Sequence, residues 1–559
     1  MITINVTDGN DKKTLRAAEG LSLLEALRIN GYDIYAPCGG RGTCNKCIVE
    51  VGGEGTVISC NYYPDKEIEV ILPGRDEEQI LTNQTEFLFD LPMDTDIFPV
   101  SAVPTVPANS ETPSAPAASD SKGVHAGAAT PPTPAPDSKG VQAGAAAPEN
   151  TQPPIAPGCS HVMNLFGVAV DLGTTTVALY FLDLVSGRTE KISSFMNPQR
   201  AYGADVISRI NYCQTTPGGL NELQQSTVSH FNREMEMFAA GHNISTESIV
   251  RVVFAGNTTM LHLLLGEDPV PIAQAPFTPP FITTQLRRGR ETGLKVNSKA
   301  EVITLPCVSA FVGADIVAGL SALNVRSRRY LFVDIGTNGE IALVTEEVID
   351  ACAAAAGPAF EGANITCGMS ARNGAVSSFT GPGRYRVIGN GRPAGICGSG
   401  IIDATAYLVE NGVVDETGYM ADNFNITGDG RIYVNQNDIR EIQLAKSAIY
   451  SGMKSLLNRR GLTFSDMDAL YLAGGFGNYI NIRSALRIGL LPSELEGRIF
   501  PVGNSAGIGA LLYLKSKQFA GWTGETALRT NYIELSNDDN FMVEFAMNMN
   551  FNSSSSKKM

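Results

Sequence analysis

The sequence predicts a multidomain chain. A small α+β domain occupies residues 1–90, a disordered Pro/Ala-rich linker 91–160, a large α/β domain 161–548 and a disordered tail 549–559. Three observations predict this. Between Pro99 and Pro157 the composition breaks, with 13 of the chain's 30 prolines in that stretch and no Phe, Tyr or Trp between Phe98 and Phe166. Before the break, short alternating strand-like runs surround one helical run. After it, apolar strand runs alternate with helical patterns to about residue 516, the mark of α/β architecture.

In the first domain, residues 2–7 and 13–17 alternate like strands, and Leu21–Ile29 takes helical spacing after Ser22. A cysteine-bearing loop follows, then strand-like Lys46–Val51 and Ile68–Leu72. The linker holds an imperfect 17-residue repeat, Asp120-SKGVHAGAATPP and Asp137-SKGVQAGAAAP, whose Ala, Pro, Gly and Ser have nothing to bury. The large domain divides into lobes at about 161–325 and 326–548. Four serines and two lysines mark the tail as frayed.

Charge and hydropathy exclude several classes. With 42 Lys+Arg against 57 Asp+Glu, the net charge is -15, so the chain lacks the basic balance of a nucleic-acid binder. No apolar run reaches the roughly 18 residues of a membrane span. The polar start MITINVTDGNDKK carries no signal segment, which predicts a cytoplasmic protein. Ten cysteines are too few for a disulfide scaffold at this length, and four of them crowd into residues 38–60.

Those four are Cys38, Cys44, Cys47 and Cys60, spaced C-x5-C-x2-C with a later fourth. The pattern is close to the plant-type [2Fe–2S] spacing, and soft thiolates converging from one loop suit that chemistry. Gly39, Gly40 and Gly42 let backbone N–H groups approach the sulfides. Zinc is the competing reading, but it favours paired C-x2-C knuckles and only one such pair is present. The remaining cysteines, Cys159, Cys213, Cys307, Cys352, Cys367 and Cys397, read as buried small hydrophobes.

Two segments of the large domain share a second pattern: FGVAV-Asp171-LGTTT and YLFV-Asp334-IGTNGE, 163 residues apart. Each is a buried strand, an Asp, a Gly-Thr turn and a returning strand. Gly173 and Gly336 allow the sharp turn. Backbone N–H groups there, with Thr174, Thr175, Thr337, Asn338 and Gly339, can face a phosphate. Asp171 and Asp334 suit Mg²⁺ held through water. A third piece, LYLA-Gly474-Gly475-FGNYI, offers side-chain-free positions where backbone can pass close to adenosine. Neither a P-loop nor a strand-linked GxGxxG occurs.

Further candidates are less distinctive. VSAFVGADIVAGL resembles the Gly-x-Asp segment that opens a helix in many sugar kinases, which implies Asp315 as a base beside the γ-phosphate; the residues alone read equally well as a carboxylate at a helix start. Asn257-TTMLHLLLG reads as a capped, buried helix with His262 packed rather than catalytic, and Gly395-ICGSGIID as an inter-lobe connection or a close strand–helix packing.

YAPCGGRGTCNKCIVEV followed by VISC resembles the β-grasp ferredoxin domain. The two hairpins with the Gly474 segment resemble the phosphate and adenosine motifs of the actin/Hsp70/sugar-kinase superfamily, with its duplicated ribonuclease-H-like lobes. Joined in one chain, and with AGPAFEGANITCGM at 356–369, they resemble the reductive activators of corrinoid proteins. That resemblance implies a [2Fe–2S] cluster, ATP and Mg²⁺ as cofactors. It also implies ATP-dependent one-electron reduction of a Co(II) corrinoid to Co(I) in support of methyl transfer. The implied partners are the corrinoid protein of a methyltransferase system and a low-potential ferredoxin- or flavodoxin-type donor, with a homodimer left open and no nucleic acid or membrane. Rival readings are an activator of a dehydratase-type redox enzyme and a non-catalytic redox-sensing nucleotide switch. The family also carries a small folded domain between linker and ATPase, where this chain is low-complexity.

Overall fold

The computed structural model describes residues 1–72 apart from 9–10 and parts of 31–46, then 91, 93–94, and 165–552 apart from 326–327, 337 and 478. The first domain is a mixed sheet over one helix. Strands β1 (Ile2–Asp8) and β2 (Asp11–Ala17) form a hairpin, helix α1 (Leu23–Ile29) follows, and β3 (Ile48–Val51), β4 (Gly55–Ile58) and β5 (Ile68–Ile71) complete the order β2-β1-β5-β3-β4. β1 and β5 pair in parallel at the centre while the outer pairs are antiparallel. This is the β-grasp arrangement. The helix starts where the sequence places it: Ser22 and Glu25 form a reciprocal capping box, and Leu23, Leu24, Ala26 and Leu27 face the sheet. Burying each such leucine contributes about 1.5–3 kcal/mol.

Among the described residues the large domain contains two six-stranded sheets. The first lobe runs β6 (Phe166–Leu172), β7 (Thr176–Asp183), β8 (Thr189–Met196), α2 (Val206–Thr215), α3 (Gly219–Gly241), β9 (Ile249–Gly256), α4 (Thr258–Leu265), α5 (Val270–Ala273), β10 (Gln285–Arg288), β11 (Glu301–Thr304) and α6 (Ala314–Ala322). Its sheet has the order β10-β11-β9-β6-β7-β8.

The second lobe continues with β12 (Tyr330–Ile335), β13 (Gly339–Val344), β14 (Ile349–Ala354), β15 (Ala375–Gly381), β16 (Arg384–Val387), β17 (Gly395–Ile396) and α7 (Gly398–Glu410). After a small hairpin, β18 (Phe424–Asn425) with β19 (Tyr433–Val434), come α8 (Gln436–Arg459), β20 (Ala469–Ala473), α9 (Gly474–Gly477), α10 (Ile482–Arg487) and β21 (Ile499–Gly503). The chain closes with α11 (Ser505–Lys515), α12 (Lys517–Arg529), β22 (Thr530–Tyr532) and α13 (Asp539–Met547). The second sheet has the order β21-β20-β12-β13-β14-β22.

The two sheets repeat one plan. An antiparallel three-strand meander, β6-β7-β8 or β12-β13-β14, is flanked on its first strand by a parallel strand, β9 or β20. This duplication is the actin-like fold. The end of the chain departs from a simple division at residue 325: α12 packs on α6 of the first lobe, and α11 follows β21 of the second sheet yet packs on β6, β9 and α6. It crosses between the halves, so its small, apolar sequence SAGIGALLYL is buried almost throughout.

Two boundary expectations change. Asp94, assigned to the linker, donates its N–H to the Lys515 carbonyl and accepts from the Lys517 N–H, both at 2.8 Å, so the chain is anchored there. Met549–Asn552, assigned to the tail, lie on α8. Buried Lys446 donates to the Asn548 and Asn550 carbonyls at 2.5 and 2.7 Å, Gln443 donates to the Met549 carbonyl, and Phe551 is 3% exposed. Apart from Leu91 and Met93, the rest of both assignments, like the expected inter-domain repeat, falls outside the described residues.

Candidate functional site

The first hairpin builds its turn from behind. Asp171, near the end of β6, lies in register with Ala178 of β7 and Ala255 of β9, small neighbours that leave room at the sheet's end. Beyond it three successive carbonyls are taken up on one side: Gly173 O by the Asn197 side-chain amide at 2.8 Å, Thr174 O by Arg209 Nη2 at 2.5 Å, and Thr175 O by the Asn197 N–H at 2.8 Å. Holding the carbonyls there turns the N–H side of the turn toward the cavity that Gly173, Thr174 and Thr175 line. Asn257 donates to the Thr174 hydroxyl at 2.8 Å while capping α4 through the Met260 N–H.

The second hairpin is the counterpart. Asp334 of β12 lies opposite Glu340 of β13 and beside Ala473 of β20, and the Gly336 N–H closes the turn on the Asn338 carbonyl at 3.0 Å. Thr337 lies outside the described residues. Gly474 stands at φ +85°, and a Cβ there would collide with the Asp334 carboxylate, so glycine is required on both counts. Gly475 borders open space in the same cavity. Gly339 starts β13 rather than facing the cavity; a Cβ there would press on Ile449.

Between the hairpins lies a cavity of about 320 Å³ walled by carboxylates, with Asp315 in the first turn of α6 and Glu340 beside Asp334. Burial pushes Asp171 up to about 7, with the Asp315 charge adding and an Asn504 hydrogen bond opposing. Asp334 is pushed to about 8 by burial and by Asp315, Asp171 and Glu361. Burial raises Asp315 to about 6 against the Ile316 N–H, and raises Glu340 strongly. So many enclosed carboxylates call for a cation. Among the described residues no three such side chains converge as a ready-made cage.

Four residues of this site were not singled out from the sequence, Arg209, Glu340, Glu361 and Asn504, nor was the link of Asn257 to Thr174. Asn504 shares the signal that marked Asn257. Each follows a strand-ending glycine, Gly256 or Gly503, and caps the next helix. Arg209 carries no local signal, and Glu361 lies in the AGPAFEGANITCGM stretch, which was read only as a family likeness. His262 is packed as expected: its Nδ1 meets the Thr258 carbonyl at 2.7 Å and its Nε2 accepts from the Phe281 N–H at 3.4 Å, so the ring is held neutral. Gly395 and Ile396 form a short strand paired with β15 before α7, the strand–helix packing alternative.

In the first domain Cys47 and Cys60 are buried side by side, and the Cys60 N–H donates to Cys47 Sγ at 3.4 Å. An amide aimed at a sulfur suits a thiolate ligand, so these two residues fit the cluster. Cys38 and Cys44 lie outside the described residues. Cys307, Cys352 and Cys397 are buried and Cys213 and Cys367 partly so, in line with a packing role; Cys159 falls outside the described residues.

Comparison with known proteins gives three family matches: a 2Fe-2S iron–sulfur cluster binding domain at 6–70, the RACo middle region at 166–328, and the C-terminal ASKHA domain of RACo at 328–559. The middle region therefore falls on the first lobe, which corrects the expectation that the chain lacks it. The chain is 32% identical to a corrinoid activation enzyme, RamQ, of Eubacterium limosum, over 93% of this chain and 94% of that protein. It is 25% identical to a [Co(II) methylated amine-specific corrinoid protein] reductase of Methanosarcina barkeri, over 61% and 68%. A solved structure described as a reductive activator for corrinoid, iron–sulfur protein matches with TM-score 0.64 and 27% identity, covering 99% and 98% of the two chains.

Proposed function

The chain belongs to the family of reductive activators of corrinoid proteins, and we propose that it uses ATP to drive one-electron reduction of a Co(II) corrinoid protein to Co(I), the nucleophile of corrinoid-dependent methyl transfer. The observation that carries this reading is the union, in one chain, of a sulfur-bearing loop and a carboxylate-walled cleft between two phosphate-type hairpins. A bound [2Fe–2S] cluster supplies one-electron transfer. Cys38, Cys44, Cys47 and Cys60 hold it, and the Cys60 amide eases the charge on the Cys47 sulfur.

In the cleft, the Gly173–Thr175 and Gly336–Asn338 turns take the phosphates of ATP. Asp171 and Asp334 position Mg²⁺ through water, and Gly475 passes close to the adenosine. Co(I) lies at very low potential, so ordinary donors populate it poorly. ATP favours one separation of the lobes over another, and that difference is what couples its turnover to a change at the docked corrinoid. A low-potential ferredoxin- or flavodoxin-type donor refills the centre, in a cytoplasmic setting that keeps the thiolates reduced.

Anaerobically purified protein should carry about two irons and two labile sulfides per chain. With Mg²⁺ and a Co(II) corrinoid protein it should release phosphate from ATP. Stoichiometric zinc without sulfide, or no phosphate release under those conditions, contradicts the proposal.

A further inference from the structure

Besides Asp315, one further carboxylate of the cleft belongs to neither hairpin. Glu361 ends the turn Pro358–Glu361 of the second lobe, and its Oε2 accepts from the Thr175 hydroxyl of the first-lobe turn at 2.8 Å. It is thus a hydrogen bond from one lobe to the other across the phosphate site, joining residues 186 apart in sequence.

The turn that carries Glu361 is built to hold it still. Gly357 and Gly362 flank it at φ +72° and +79°, and a Cβ on Gly362 would strike the Met369 backbone. Phe360 is buried beneath, the turn packs on α7 and α8, and the Thr366 N–H is fixed by Asp438 at 2.7 Å. A rigid support of this kind is what a group working at a reaction centre requires. The location is otherwise unfavourable, because Glu361 adds negative charge beside Asp334.

We propose that Glu361 orients and deprotonates the water that attacks ATP, and that lobe closure, read by the Thr175–Glu361 bond, brings it into place. This rests on the ATPase reading above. A phosphate oxygen bonded to the Thr175 turn lies within one water's reach of a carboxylate 2.8 Å from that hydroxyl. The water oxygen bonds to the γ-phosphorus as its proton passes to Glu361. The bond from phosphorus to the β,γ-bridging oxygen breaks with its electron pair leaving on ADP, and inorganic phosphate departs. Asp315, the other candidate base, is committed differently: its Oδ1 accepts from its own helix at the Ile316 N–H, and it is enclosed among carboxylates.

The test uses the full chain with Mg-ATP and a Co(II) corrinoid protein, comparing wild type, Glu361→Gln and Glu361→Asp. Glu361→Gln should keep the visible spectrum and bind ATP within about threefold of wild type, while kcat falls by about 10²–10⁴-fold; Glu361→Asp should fall between. Unchanged kcat in Glu361→Gln overturns the inference and leaves the ATPase reading standing. Loss of ATP binding in parallel with kcat also overturns it, making Glu361 a binding residue. A wild type that hydrolyses no ATP overturns the reading beneath it as well.

Discussion

Arg209 is fully buried, and its acceptors are neutral: the Thr174 and Gly203 carbonyls, the Gln199 amide oxygen and the Met260 sulfur. Burial draws its pKa down to about 9, with Arg200 adding to the effect and Asp205 and Glu361 opposing it. A buried cation with neutral partners is costly, and its place behind the phosphate turn accounts for that cost if an anion binds in front. Arg209→Met should weaken ATP binding about 10–100-fold by calorimetry, and Arg209→Lys should recover part of the loss; unchanged affinity in Arg209→Met contradicts this role. The carboxylates make a pH prediction. Asp171 and Asp334 rise from 3.8 to about 7 and about 8 on folding, so the folded protein holds protons that the unfolded chain loses across that window. Stability of the nucleotide-free protein should therefore fall as pH rises from about 5 to 8, and Mg-ATP should remove most of the fall. A thermal midpoint in Asp334→Asn with the same pH slope as wild type contradicts it.

At the scale of elements, the hairpins were legible because strand, Asp, Gly-Thr turn and returning strand are consecutive in sequence and the pattern occurs twice. The helix of the first domain was legible for the same reason, since Ser22 and Glu25 cap it three residues apart. What could not be read depends on distance. Arg209 lies on α2, where an arginine ordinarily faces water, and only the return of the chain at Thr174 buries it. Crossing helix α11 has a sequence indistinguishable from any buried helix. Nor does the short run Met549–Asn552 announce that it seats on Lys446, about a hundred residues earlier. Removing residues 549–559 would leave that buried ammonium without the Asn550 carbonyl and strip the cover from α8. The truncated protein should lose about 2–4 kcal/mol by denaturant unfolding of the ATPase domain; an unchanged midpoint would show that this segment contributes nothing to the fold.

At the scale of the whole molecule, cluster and cleft are separate pieces of chemistry on separately folded cores. Lesions should therefore separate cleanly. Cys47→Ser should lose the cluster spectrum and still bind ATP. Asp171→Ala and Asp334→Ala should keep the spectrum and accept an electron, yet hydrolyse no ATP. Either class alone should fail to activate a corrinoid. The most direct measurement of the account follows the Co(I) absorbance of a Co(II) corrinoid protein mixed anaerobically with this protein, a low-potential reductant and Mg-ATP. Co(I) should accumulate with the wild type only when ATP is present, and not with Cys47→Ser or Asp334→Ala. Equal Co(I) with and without ATP, or full activity in Asp334→Ala, would contradict it.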